Sequence, residues 1–189
     1  MMNCISNFLE VMDHEFPNNM ETTVPYTGYK VDGNGIKKHC LLNTLKSVDY
    51  YSLHPKHGFL YVEFSDLIRQ DEEIKNKAER ISNSNLSSHD KRNLKKECFK
   101  IINKELVLKY KDSFLIKQIM VNKLNNIPAF FEGESMYVIV VAPIEKDLSQ
   151  DKKIEIIKFI DTLKDKISAS LPKDLFTQVK VITLDRFIA

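Results

Sequence analysis

The chain has 189 residues, of which 43% are hydrophobic and 29% are charged. This length fits one domain with room for an insertion, and the balance is ordinary for a globular protein with a sizeable core. Lys and Arg number 28 against 26 Asp and Glu, so the net charge of +2 does not indicate a nucleic-acid partner.

Cysteine usage and hydropathy exclude several further classes. Cys4, Cys40 and Cys98 are widely spaced, odd in number and outside any CxxC motif, which argues against a structural zinc site and favours reduced thiols. The N-terminus lacks the basic region and unbroken apolar core of a signal peptide. The longest apolar run, 136–144, is too short to span a membrane. We therefore expect a cytoplasmic protein without a membrane partner.

The first predicted elements are a helix and a pair of strands. Apolar residues at helical spacing predict an amphipathic helix over 5–16, which ends before Pro17. Two β-rich segments follow, at 22–31 and 36–45, and the turn sequence at 32–35 separates them. The first third of the chain thus reads as a helix followed by an antiparallel meander.

A β-hairpin is predicted next, from strands 47–54 and 58–67 joined by the turn at 55–58. If 54–58 form a five-residue loop, Leu53 faces Phe59, and Asp49 consequently faces Glu63. Opposed like charges destabilise a hairpin unless a cation lies between them. The pair therefore suggests a divalent metal site, although two acids on a solvated hairpin face are the commoner arrangement.

The two faces of strand 58–67 differ. Leu60, Val62 and Phe64 alternate on one face, which we expect to point into the core. Glu63 lies on the other face, which is polar and aromatic, and Ser65 follows it there.

Residues 65–127 contain neither Gly nor Pro and predict helices. A charged helix over 71–80 breaks at 82–85, and Ser87 or Ser88 caps a second helix that runs to about Leu124. We interpret residues of about 68–108 as a charged helical insertion. Four basic residues, each four positions after the last, would form a ridge on one face of this helix: Arg92, Lys96, Lys100 and Lys104. Such a ridge either contacts a phosphate backbone or is a solvated helix face.

The last elements are a buried strand at 136–143, a helix capped by Ser149 or beginning at Gln150, and a strand at 177–184. The whole chain, 1–189, is therefore predicted to be a single α/β domain. It should have a mixed sheet, an antiparallel N-terminal meander, flanking helices and the charged helical insertion.

The order of these elements resembles the PD-(D/E)XK nuclease superfamily over most of residues 1–145. The corresponding pieces are Val48-Asp49, Glu63-Phe64-Ser65, the helix from Lys111 to Leu124, and the strand from Tyr137 to Ala142. The resemblance implies a restriction-endonuclease-like core and hydrolysis assisted by Mg²⁺ or Mn²⁺. It also implies that Asp49 and Glu63 bind the metal, with Glu10 or Glu15 as a further ligand.

One departure from this family is functionally important. Ser65 stands where the family has a catalytic lysine, so another cation must complete the site or the site is inactive. Among Lys109, Lys111 and Lys117, Lys111 is the preferred candidate because it lies one turn before the apolar end of its helix. Lys117 is a candidate nucleic-acid contact.

These observations lead to two main hypotheses. The first is a metal-dependent nuclease or nuclease-derived protein that acts on DNA or RNA, in the bacterial or phage defence context that the resemblance implies. The second is an inactive binding, accessory or immunity-type protein with the same fold. Such a protein would contact a protein partner through the helical region 68–124.

Overall fold

The computed structural model describes residues 3–172 and 178–189 as a mixed α/β structure. Six strands form one sheet. Its first three neighbouring pairs are antiparallel and its last two pairs are parallel. The predicted fold class, with its antiparallel N-terminal meander, is therefore confirmed. No helix among the described residues is long and apolar enough to cross a membrane.

The strands are β1 (Asn3–Cys4), β2 (Leu9–Val11), β3 (Thr27–Lys30), β4 (Tyr50–His54), β5 (Gly58–Phe64), β6 (Leu124–Asn125), β7 (Ser135–Val141) and β8 (Gln178–Thr183). The main sheet has the order β2-β3-β4-β5-β7-β8, and β1 and β6 form a separate parallel pair. The predicted last strand began at Thr177, which lies outside the described residues.

Within the described ranges six α-helices accompany the sheet, and short 3₁₀ helices lie at Ile5–Phe8, Pro17–Asn19 and Ala129–Glu132. The α-helices are α1 (Ile36–His39), α2 (Leu67–Ser82), α3 (Ser88–Cys98), α4 (Ile101–Met120), α5 (Gln150–Ser170) and α6 (Leu184–Ile188). Ser87 and Ser149 cap α3 and α5 by accepting backbone N–H bonds, as the sequence predicts.

The sheet is buried on both faces. One face packs beneath α1, α2, α4 and α5 through residues such as Tyr61 and Ile139. The other face packs against the segment around Phe16 and against α6. Strand β7 is accordingly apolar on both sides, which confirms its prediction as a covered central strand.

Three predicted elements are wrong. Residues 5–16 form a 3₁₀ turn and strand β2, because Leu9–Val11 pairs with Thr27–Tyr29 at the sheet edge and this pairing overrides the helical spacing. Residues 36–45 form a one-turn helix and a loop instead of a strand. The amide of Val31 donates to the carbonyl of Asp49 at 2.8 Å, so β3 and β4 are already neighbours and no strand fits between them.

The third error concerns the long second helix, which is broken at Phe99–Lys100. The Lys100 amide donates to the carbonyl of Glu97 at 3.0 Å, a tighter i→i−3 bond that separates α3 from α4. Helix α4 is therefore an independent 20-residue element that packs on the sheet, and the proposed end of the insertion at about residue 108 falls inside it.

Candidate active site

The hairpin of β4 and β5 has the register that the sequence predicts. Tyr51 pairs with Tyr61 and Leu53 with Phe59. The amide of Asp49 donates to the carbonyl of Val62 at 3.1 Å. The predicted register would place Asp49 opposite Glu63, whereas this bond is made one residue earlier on β5, so regular pairing ends at Tyr50 and Val62. Asp49 still lies next to Glu63 at this end of the hairpin, close enough for its charge to raise the pKa of Glu63.

Glu63 is buried, although the sequence placed it on a polar face. Its side chain is 1% exposed because α4 covers the face of β5 that also carries Phe59 and Tyr61. The expectation that only Leu60, Val62 and Phe64 face a core is wrong, since both faces of β5 are covered. Burial is the main cause that raises the pKa of Glu63 well above its ordinary value, and repulsion from Asp49 raises it further. The charge of Lys109 acts in the opposite direction.

Asp49 is held against the following strand. Its Oδ2 atom accepts a 2.7 Å hydrogen bond from the amide of Phe64. Burial raises the pKa of Asp49 from 3.8 to about 6, although this hydrogen bond and the charge of Lys109 act in the opposite direction. Asp49 has no salt bridge among the residues that the structure describes.

Lys109 on α4 supplies the cation of the site. Its Nζ atom lies 2.5 Å from Oε1 of Glu63. Burial disfavours the charge on Lys109, but the carboxylate of Glu63 outweighs this effect, so the pKa of Lys109 is raised. The short contact is that of an ammonium on a carboxylate, and we take this pair to remain charged. The cluster then holds two carboxyl groups against one ammonium, and the pKa of each carboxyl group is raised.

The second carboxylate oxygen of Glu63 is unsatisfied. Oε2 is buried and has no hydrogen-bond partner among the described atoms. Such a buried acceptor costs about 1–3 kcal/mol, or more when it is charged. A buried anionic oxygen beside a second carboxyl group is a suitable ligand for a hard cation.

Two cavities adjoin the acid pair. One, of about 210 Å³, is lined by Glu63, Lys109, Ser65 and three further acids, Glu15, Asp66 and Glu105. The other, of about 260 Å³, is lined by Asp49 with Asp13, Glu15, Lys30, Asp32 and Tyr50. Phe64 and Glu15 line both cavities, and each cavity is lined by one carboxyl group of the pair, Glu63 in the smaller and Asp49 in the larger.

The position of α4 over the site is fixed by hydrogen bonds to the chain that leads into β4. The Oγ atom of Ser113 accepts from the Val48 amide at 2.8 Å, and the Tyr51 hydroxyl donates to the Ser113 carbonyl at 2.6 Å. The Lys46 amide donates to Asp112 at 2.8 Å. Because Lys109 lies one turn before Ser113, these bonds set its distance from Asp49 and Glu63.

The two remaining catalytic candidates have different positions. Ser65 is buried beside Glu63, and its Oγ accepts from Gln70 at 3.2 Å. Lys111, the lysine preferred from sequence, is exposed. Two residues correspond to about 200° around a helix, so Lys109 and Lys111 cannot face the site together. Of the candidate lysines on this helix, Lys109 is the one in contact with Glu63.

Glu10, the predicted third metal ligand, is engaged elsewhere. Its Oε1 atom accepts from Lys30 at 2.7 Å and from the Tyr50 hydroxyl at 3.1 Å, and Glu10 lines neither cavity. Glu15, the alternative ligand, lines both cavities. Of the two predicted ligands, Glu15 therefore lies nearer to the acid pair.

The predicted nucleic-acid contacts do not form one surface. Arg92 and Lys96 are exposed on α3, whereas Lys100 lies at the break and pairs with Glu97 at 2.8 Å. Lys117 lies about two turns beyond Lys109 on α4. Its Nζ donates to the carbonyl of Phe131, in the 3₁₀ helix at Ala129–Glu132, at 3.0 Å. None of these four residues lines either cavity beside the acid pair.

Comparisons of the chain with protein-family models, with characterised proteins and with solved structures found no match. The PD-(D/E)XK resemblance therefore stays a prediction.

The donor set restricts the kind of metal that the site would suit. Among the described residues, no group of three or more His, Cys, Asp or Glu side chains is placed to hold an ion. Structural zinc needs about four protein ligands, which the pair does not supply. Mg²⁺ usually takes one or two carboxylates and completes its shell with water and phosphate. Asp49 and Glu63, with the unsatisfied Oε2 atom, fit that requirement.

Proposed function

We propose that the protein is a metal-dependent phosphodiesterase that acts on nucleic acid, with Asp49, Glu63 and Lys109 at its centre. The observation that carries this proposal is the buried pair of neighbouring carboxyl groups with an ammonium group 2.5 Å from one of them. Acidic ligands for a divalent cation and a nearby fixed positive charge are the groups that phosphodiester hydrolysis needs.

Each residue has a defined role in the proposed reaction. Asp49 and Glu63 hold Mg²⁺ or Mn²⁺. When bound, such an ion polarises the phosphate and lowers the pKa of an attacking water. Lys109 provides positive charge for the phosphate oxygens at the wall of the smaller cavity. Ser65, bonded to Gln70, can turn its own hydroxyl proton toward the cavity it lines.

The PD-(D/E)XK resemblance is compatible with this centre and belongs to the same proposal. In this proposal Lys109 of α4 supplies the positive charge that the family takes from a lysine at the position of Ser65. A cytoplasmic location and a defence role also remain proposals, and the free thiols Cys4, Cys40 and Cys98 support the former.

Cleavage of labelled single-stranded and duplex DNA and RNA tests the proposal. We expect Mg²⁺- or Mn²⁺-dependent cleavage that EDTA abolishes. The changes Asp49→Asn, Glu63→Gln and Lys109→Gln should each lower it by at least about 100-fold. Lys111→Gln, on the same helix but exposed, should retain wild-type activity. Activity that survives both acid substitutions would contradict the assignment.

A second function, that of an inactive protein-binding module, is favoured by one specific observation. Large apolar side chains on α3, α4 and the break between them are 44–51% exposed: Leu94, Phe99, Ile101, Leu108 and Leu115. A partner on this surface would use the predicted region 68–124. Loss of partner capture in Leu108→Glu, with unchanged capture in Asp49→Asn, would favour this function over hydrolysis.

A further inference from the structure

Lys109 lies where it competes with a bound cation. Its ammonium group contacts Oε1 of Glu63 at 2.5 Å, and Oε2 of the same carboxylate is the unsatisfied buried atom. A divalent ion that takes this carboxylate would place its charge close to the ammonium. Like charges in a buried site repel strongly, so Lys109 must move when the cation binds.

Glu105 is placed to receive the displaced ammonium. It lies one helical turn before Lys109 on α4 and lines the same cavity. Side chains at i and i+4 on a helix have Cβ atoms about 5–6 Å apart, and Glu before Lys is the more stabilising order. Glu105 is exposed and forms no salt bridge within residues 3–172 and 178–189. Its charge already acts favourably on the charged form of Lys109.

We propose that Glu105 is a positioning residue that accepts Lys109 when a divalent cation occupies Glu63. Lys109 is then the internal counter-ion of Glu63 in the cation-free protein. In the cation-bound protein it pairs with Glu105 at the exposed side of the cavity, where an incoming phosphate would meet it. This inference rests on the proposed function for the identity of the cation and the phosphate, and its test uses binding and structure, without catalysis.

The direct test is a crystal structure of the wild-type protein with Ca²⁺, together with Ca²⁺ titration by calorimetry. We expect the Nζ atom of Lys109 to lie within salt-bridge distance of Glu105 and to have left Glu63. Lys109→Met should bind Ca²⁺ about tenfold more tightly, because it removes a charge-assisted competitor. Lys111→Met is the matched control and should not change the affinity.

A double-mutant cycle distinguishes the positioning of Lys109 by Glu105 from a direct attraction between Glu105 and the bound cation. Glu105→Gln should weaken Ca²⁺ binding about two- to threefold, the strength of a helical i,i+4 ion pair in a partly buried setting. In the Lys109→Met background the same change should have a smaller effect, since no ammonium remains to be placed. Glu79→Gln, on exposed α2, serves as the charge control.

Three results would overturn the inference. They are Lys109 still on Glu63 in the Ca²⁺ structure, equal effects of Glu105→Gln in both backgrounds, and no Ca²⁺ binding by either the wild type or Lys109→Met. Should Lys109→Met fail to fold, the wild-type structure alone decides, since it needs no variant. Absence of nuclease activity with a positive structure and cycle would refute only the proposed function.

Discussion

Replacing Asp49 by Asn should stabilise the protein at neutral and alkaline pH in the absence of divalent cations. Asn keeps the shape of the side chain and an oxygen that accepts from the Phe64 amide, but removes a buried charge beside Glu63. The pKa of Asp49 is raised by burial from 3.8 to about 6. At 1.36 kcal/mol for each pKa unit, this corresponds to about 3 kcal/mol of stability that the wild type lacks above pH 6.

The direction of the pH dependence follows from linkage. A carboxyl group with a raised pKa in the folded state binds more protons when folded than when unfolded, so its contribution to stability is full below pH 4. That contribution is lost as pH rises through about 6. Asp49→Asn and the wild type should therefore have similar unfolding free energies near pH 4 and diverge by pH 7–8.

Urea denaturation in EDTA at pH 4, 5, 6, 7 and 8 measures this difference. Asp185→Asn, on the exposed surface of α6, is the control and should change stability by less than about 0.5 kcal/mol at any pH. A stability difference for Asp49→Asn that is the same at every pH would refute the reasoning, because it would show that Asp49 does not titrate in this range.

Two further predictions concern partners in the same core. Lys109→Met should lower the free energy of unfolding by about 3–5 kcal/mol at pH 8, because it leaves the charge of Glu63 buried and unpaired. The loss should be smaller at pH 5, where the carboxyl pair holds more protons. Chemical denaturation at both pH values measures the loss, and a loss that does not depend on pH would contradict the prediction. Tyr61→Phe should be neutral or stabilising by about 1 kcal/mol, since the Tyr61 hydroxyl is buried without a hydrogen-bond partner among the described atoms. Tyr51→Phe, which removes a 2.6 Å bond to the Ser113 carbonyl, should instead cost about 1 kcal/mol. Thermal unfolding of the two tyrosine variants compares them, and equal effects would show that the Tyr61 hydroxyl is satisfied in solution.

The sequence predicted the hairpin well because its signals are local. The turn at 55–58 and the β-rich runs on both sides predict the register, and the structure contains the pairing of Tyr51 with Tyr61. The turn ends with Gly58 at a positive φ of 67°, which favours glycine. The register from Tyr50 to His54 therefore needed no information from distant parts of the chain.

The environment of the acid pair could not be predicted in the same way. Glu63 is buried only because α4, which starts 38 residues later in the chain, lies across β5. Tertiary packing also explains the wrong N-terminal helix, since β2 exists through its pairing with β3. Local patterns do not contain either contact.

The sequence of α4 contains a pattern that indicates Lys109. Its buried stripe has the spacing 4, 3, 4, 3, 4 and contains Ile102, Leu106, Lys109, Ser113, Ile116 and Met120. Two polar residues interrupt this apolar stripe, and a polar group on the buried side of a helix needs a partner. Lys109 finds Glu63, and Ser113 finds the Val48 amide.

The acid pair is a local conflict in an otherwise consistent fold. Two neighbouring carboxyl groups share one lysine, and a buried carboxylate oxygen has no partner among the described atoms. An apolar or amide residue at Asp49 would relieve the repulsion without changing the hairpin. Departures of this kind concentrate at functional sites, where a ligand offsets their cost. A divalent cation meets both deficits together, because it supplies the missing positive charge and a partner for Oε2 of Glu63. A proton on Asp49 would only reduce the repulsion between the carboxyl groups and would leave Oε2 of Glu63 without a partner, which is why we propose a cation site here.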